Sequence, residues 1–69
     1  MLSKNDIVNI AYSNELYYST EFCLSGRTVI VFSVYSLEGL ETFKKRLKNY
    51  FVEKVIDSHN ENYLIGVMI

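Results

Sequence analysis

Apolar and polar positions in this chain recur with two different periods, and the changes of period divide it into six segments. The most apolar stretch is Thr28 to Tyr35, Thr-Val-Ile-Val-Phe-Ser-Val-Tyr, and its period is two. Val29, Val31, Ser33 and Tyr35 fall on one side, and Ile30, Phe32 and Val34 on the other. β-branched and aromatic residues suit a pleated surface and lose the most side-chain freedom in a helix. A strand apolar on both sides belongs inside a sheet, with something packed on each surface. The last segment, Asn62 to Ile69, is almost wholly apolar from Tyr63 onward and predicts a second interior strand. Phe51 to Asp57 interleaves Glu53, Lys54 and Asp57 with its apolar residues, which suits an edge strand because charge there discourages stray pairing.

Leu16 to Cys23 alternates in part: Leu16, Tyr18, Thr20 and Phe22 against Tyr17, Ser19, Glu21 and Cys23. Paired tyrosines and a threonine favour a strand. Leu24-Ser25-Gly26-Arg27 follows, and Gly26 can supply the positive φ of a tight turn. Residues 16–24 and 27–35 are therefore predicted to form an antiparallel hairpin. A rival reading runs the first helix on through Tyr17 and Tyr18.

Two segments switch to a helical period. Ser36 can cap a helix from Leu37 to about Tyr50, whose Leu37, Leu40, Phe43, Leu47 and Tyr50 recur at three- and four-residue steps. Glu38 and Glu41 precede Lys44, Lys45, Arg46 and Lys48, an order that complements the helix dipole. Gly39 is a weak point in that helix. Ser3 can cap a shorter helix over residues 4–12, with Asp6 completing a capping box and Ile7, Ile10 and Ala11 on one face. So short a helix is marginal unless docked.

The order α-β-β-α-β-β predicts an α+β fold in one domain, residues 1–69: a four-stranded, mostly antiparallel sheet with the second helix across one face. The short first helix is a modest cover for the other face. The strand order is open, and any parallel crossover should be right-handed.

Composition narrows function chiefly by exclusion. The chain has 69 residues, 49% hydrophobic and 22% charged, the balance of a folded domain near the lower size limit for a stable core. A single cysteine, Cys23, rules out an internal disulfide and suits a reducing cytosol; in a strand it reads as a small buried hydrophobe. No segment reaches the roughly 18 apolar residues of a membrane span, and the N-terminus lacks the order of a signal peptide. A soluble, cytoplasmic protein without membrane contact is the expectation.

Catalytic chemistry has little to work with. His59 is the only histidine and sits in the polar stretch Ser58-His59-Asn60-Glu61, where an exposed turn residue is the ordinary reading. One His and one Cys fall short of a metal's three or four ligands. Asp57 and Glu61 lack the dense oxygen spacing of a calcium loop. Gly26, Gly39 and Gly66 are too scattered to cradle phosphate. No enzyme activity, cofactor or metal is expected.

The basic run Lys44-Lys45-Arg46-Lys48 reads first as a solvated helix face; with strand tyrosines it could instead engage nucleic acid. The net charge of −1 and the absence of alternating aromatic and basic strand residues weigh against that second use. Six tyrosines suit a protein interface. Two strands apolar on both faces leave more apolar sheet than two helices can shelter. The leading expectation is a non-enzymatic protein-interaction domain, a regulator, inhibitor or accessory protein that self-associates as a homodimer or binds a larger protein. Tyr17, Tyr18, Lys44, Lys45 and Lys48 are its candidate contact residues, and the alternative is a nucleic-acid-binding module using residues 44–48.

Overall fold

The computed structural model describes residues 2–55 and 63–69. Its elements are α1 (Lys4–Ser13), β1 (Leu16–Leu24), β2 (Arg27–Val34), α2 (Leu37–Arg46), β3 (Phe51–Val55) and β4 (Leu64–Met68). The four strands form one open sheet in the order β1-β2-β4-β3, and every pairing is antiparallel. The two strands read as interior, β2 and β4, are the central ones, and the charged β3 lies at an edge. No parallel crossover arises. The chain is α+β as expected.

Ser3 caps α1 with a complete box: its hydroxyl accepts from the Asp6 N–H at 3.1 Å, and the Asp6 carboxylate accepts from the Ser3 N–H at 3.0 Å. The helix stops at Ser13, and the rival reading that carried it through Tyr17 and Tyr18 does not hold. Glu15 turns the chain into β1 with φ 61, and its carbonyl accepts from the Tyr35 N–H. At the other end of β1, Ser25 (φ 52) and Gly26 (φ 78) make the two-residue hairpin turn, both in the left-handed region that such turns require.

Both helices depart from expectation. The second helix ends at Arg46 rather than near Tyr50, with Leu47 as its C-cap. Of its apolar stripe, Leu40, Phe43 and Leu47 are buried, whereas Leu37 in the first turn is 68% exposed. More consequentially, both helices lie on the same side of the sheet. Ile7 and Ala11 of α1 share one core with Leu40, Phe43 and Leu47, and with Leu16, Ile30, Phe32, Ile65 and Val67 of the sheet. The short helix was expected to roof the opposite face; instead it helps to cover the same one. The molecule is accordingly thin, 32 × 27 × 17 Å, the depth of a sheet and one helix layer.

The alternation expected for β1 also breaks. A bulge between Tyr18 and Thr20 shifts the register, so that Tyr18 pairs with Phe32 but Thr20 pairs with Val31. One extra residue in a strand flips every side chain beyond it to the other face. Leu16 and Tyr18 therefore share the helix side with Glu21 and Cys23, while Tyr17 joins Thr20, Phe22 and Leu24 on the uncovered side. Without the bulge, Phe22 would face the helices. Cys23, expected to be buried, is exposed, because β1 runs on past the shelter of the helices.

Gly39 is the opposite of a weak point. A Cβ there would collide with the carbonyl oxygen of Asn14, so the missing side chain is what lets α2 start against the α1–β1 turn. Helix propensity alone would have Gly39→Ala stabilise by up to about 1 kcal/mol. A clash with backbone costs about 1–3 kcal/mol, since neither segment can yield by a rotamer change. Gly39→Ala should therefore lower the melting temperature by several degrees in thermal denaturation followed by circular dichroism.

Candidate functional site

The uncovered face of the sheet is the most distinctive surface. Antiparallel partners share a face, and the register places Phe22 with Val29 and Met68, and brings Phe51 beside Met68. Val29 and Val31 are 6% and 2% exposed although no helix or strand among the described residues lies over them; flanking side chains shield them. Phe22, Leu24 and Phe51 stand proud around them, 43%, 50% and 59% exposed. Between them lies a hollow of about 120 Å³ bordered by Phe22, Leu24, Val29, Phe51, Val55 and Met68, with the charged Glu53 and Lys54 of β3 on its margin. Gly66 also lines it; a Cβ there would lie 3.0 Å from Val29 Cγ1 and 3.1 Å from Val55 Cγ2.

The five residues singled out from the sequence do not form one site. Tyr17, on the uncovered side, sits at the centre of an aromatic ladder. Its ring meets Tyr12 edge-on at 4.9 Å and Tyr35 at 5.2 Å, and the outer two rings are exposed. Tyr18 lies on the helix side in a different group, where its hydroxyl donates to Glu21 Oε1 at 2.8 Å and Lys4 pairs with the same carboxylate. Lys44 and Lys45 are exposed on α2. Lys48 alone of the five borders a cleft, in the company of Arg27 and Arg46. Arg27 carries no sequence signal for that role, because only the pairing of β2 with β4 and of β4 with β3 brings the start of β2 to the end of α2.

The exposed Lys4–Glu21–Tyr18 group and the α1 cap have a defined electrostatic signature. The Lys4 ammonium, and then the Tyr18 hydroxyl, hold the Glu21 carboxyl below its ordinary range. Bonding to Ser3 does the same for Asp6, while Glu21 raises both Lys4 and Tyr18. Lowered carboxyls stabilise the fold above their unfolded values and lose that contribution as the pH falls through their folded ones. The raised Lys4 and Tyr18 contribute below their ordinary values and lose this only as the pH climbs through the raised ones. Melting temperature measured against pH should thus show a plateau through neutrality and an acid limb below about pH 4. That limb should be shallower in a Glu21→Gln/Asp6→Asn variant, and since these groups are exposed, the effect should shrink with added salt.

Among the described residues, no three His, Cys, Asp or Glu side chains stand together as metal ligands, and no helix is long and apolar enough to cross a membrane. His59, Asp57 and Glu61 lie outside the described residues. The chain matches no family model, and comparison with curated proteins and with solved structures gives no match.

Proposed function

We propose that this is a non-enzymatic protein-interaction module that works through the uncovered sheet face, and that its first partner is a second copy of itself. What supports the reading is the contiguous apolar face of Phe22, Leu24, Val29, Phe51 and Met68, opposite a helix layer that already holds both helices. Face-to-face packing of two sheets about 10 Å apart is a common way to bury such a surface. A two-fold axis would apply the same patch to itself and close the assembly.

Size decides how tight the contact is. Four strands at about 4.8 Å spacing and roughly 20 Å of strand give a flat footprint near 400 Å². Side-chain relief raises the accessible area toward about 600 Å² per partner, the low end of stable interfaces. A micromolar, concentration-dependent dimer follows rather than a permanent one. The sheet edges are poorer docking sites: β1 carries the bulge, and β3 carries Glu53 and Lys54.

Sedimentation equilibrium over a micromolar to millimolar range tests this. A monomer at every concentration would end the self-association reading. The nucleic-acid alternative would use the exposed Lys44, Lys45, Arg46 and Lys48 at the end of α2, to which the strands add only Arg27 and Lys54 as basic residues among those described.

A further inference from the structure

We propose that the cleft where β2 begins and α2 ends binds a small organic phosphate, with Arg27 and Arg46 gripping the phosphate and an apolar or planar body lying against Phe51 and Met68. The cleft is open to solvent on one side and has a volume of about 930 Å³, room enough for a small ligand. It joins stretches distant in sequence. Arg27 opens β2, Arg46 closes α2, and Lys48, Asn49, Tyr50 and Phe51 lead into β3.

Its chemistry is one-sided. Two guanidinium groups and an ammonium line it, and none of the described residues lining it is acidic. The one ion pair among the described residues, Lys4 with Glu21, lies elsewhere. Arg27 makes a single long bond, from Nε to a main-chain oxygen of Ile69 at 3.4 Å, an oxygen that shares a carboxylate charge in the 69-residue chain; the outer fork of the guanidinium is left to an incoming ligand. Planar forks of this kind match two phosphate oxygens at once. The Tyr50 hydroxyl accepts from the Leu2 N–H at 3.0 Å, so its own proton remains to be donated into the cleft it lines. The C-terminal end of α2, at about half an elementary charge, and the main-chain carboxylate of Ile69 in the 69-residue chain oppose an anion, and the three full positive charges exceed the two together.

A nucleic-acid strand would need cations spaced along a track. These are gathered at one end of the sheet, with apolar side chains on the other wall, and that arrangement suits a compact ligand with one charged head.

Phe51 and Met68 border both this cleft and the uncovered face, so a dimer that buries them would compete with the ligand, and the two readings are separated by titrating at a protein concentration where sedimentation shows monomer. The test is amide-shift titration of the isotope-labelled protein at 50 mM salt with adenosine monophosphate, adenosine, pyrophosphate and a short single-stranded oligonucleotide. Adenosine monophosphate should saturate at or below about 1 mM, moving amides of Arg27 and Lys48 to Phe51. Pyrophosphate should bind more weakly at the same amides, and adenosine should not bind. Arg27→Gln/Arg46→Gln should weaken binding at least tenfold with its spectrum otherwise retained, whereas Lys44→Gln/Lys45→Gln, outside the cleft, should not. Absence of saturable binding overturns the proposal. So does equal loss in both double variants, or binding of the oligonucleotide alone.

Discussion

Phe43→Ala is expected to remove most of the stability of the domain. Phe43 is fully buried on the inner face of α2, and its ring meets that of Phe32 in β2 edge-on, 5.8 Å between centroids and 66° between planes. The contact fastens the helix to a central strand, and Leu40 and Leu47 lie on the same helix face. Truncating a buried phenylalanine costs about 3–5 kcal/mol, from the lost transfer energy and the cavity left behind. A domain of this size commands roughly 3–10 kcal/mol in total. The variant should therefore be largely unfolded at 37 °C, or show a urea midpoint near zero. Leu37→Ala is the matched control, because Leu37 belongs to the same sequence stripe but is exposed; it should move stability by less than about 0.5 kcal/mol. Equal losses at the two positions would mean that α2 packs through a different face.

That contrast shows where the reading of the sequence succeeds and where it stops. Helical period alone groups Leu37, Leu40, Phe43, Leu47 and Tyr50, but period says nothing about where the helix begins relative to the sheet beneath it. Leu37 sits in the first turn, beyond the shelter of the core. Strand period fared similarly. Apolar runs on both faces of Thr28–Tyr35 and Tyr63–Ile69 correctly marked interior strands, because only a central position satisfies such a pattern. They did not reveal that the helices would share one side, which depends on the long-range fit of Ile7 and Ala11 beside Leu40.

The bulge was illegible for a definite reason. Around Ser19 the chain reads Tyr-Tyr-Ser-Thr-Glu, with no strongly apolar alternation to betray a slip of one residue. Yet that slip is what turns Phe22 outward to join Val29 and Met68. Gly39 illustrates the same limit, its propensity argument being reversed by one contact with Asn14. The basic cleft likewise needs the pairing of β2 with β4 and β4 with β3 to bring Arg27 to Arg46, and no spacing in the sequence encodes that meeting. Local preference thus specified the elements, whereas the surfaces on which function rests arise from register and docking.

Phe22→Lys/Phe51→Lys should abolish self-association while leaving the monomer folded. Both rings are about half exposed and lie at the rim of the uncovered face rather than in the core, so their loss removes only part of a side chain's burial in the monomer. In the dimer the same change places four ammonium groups within an apolar contact, two from each copy. Burying each without a partner costs several kcal/mol, more than an interface of this modest size can offset. The dissociation constant should rise at least a hundredfold, taking the variant to a monomer throughout the range in which the unmodified protein dimerises by sedimentation. Far-ultraviolet circular dichroism should be retained. The melting temperature of the unmodified protein should climb with protein concentration, since association stabilises only the folded state, whereas that of the variant should not. A variant that still dimerises with unchanged affinity would move the interface off this face, and the hollow beside Gly66 would then have no part in it.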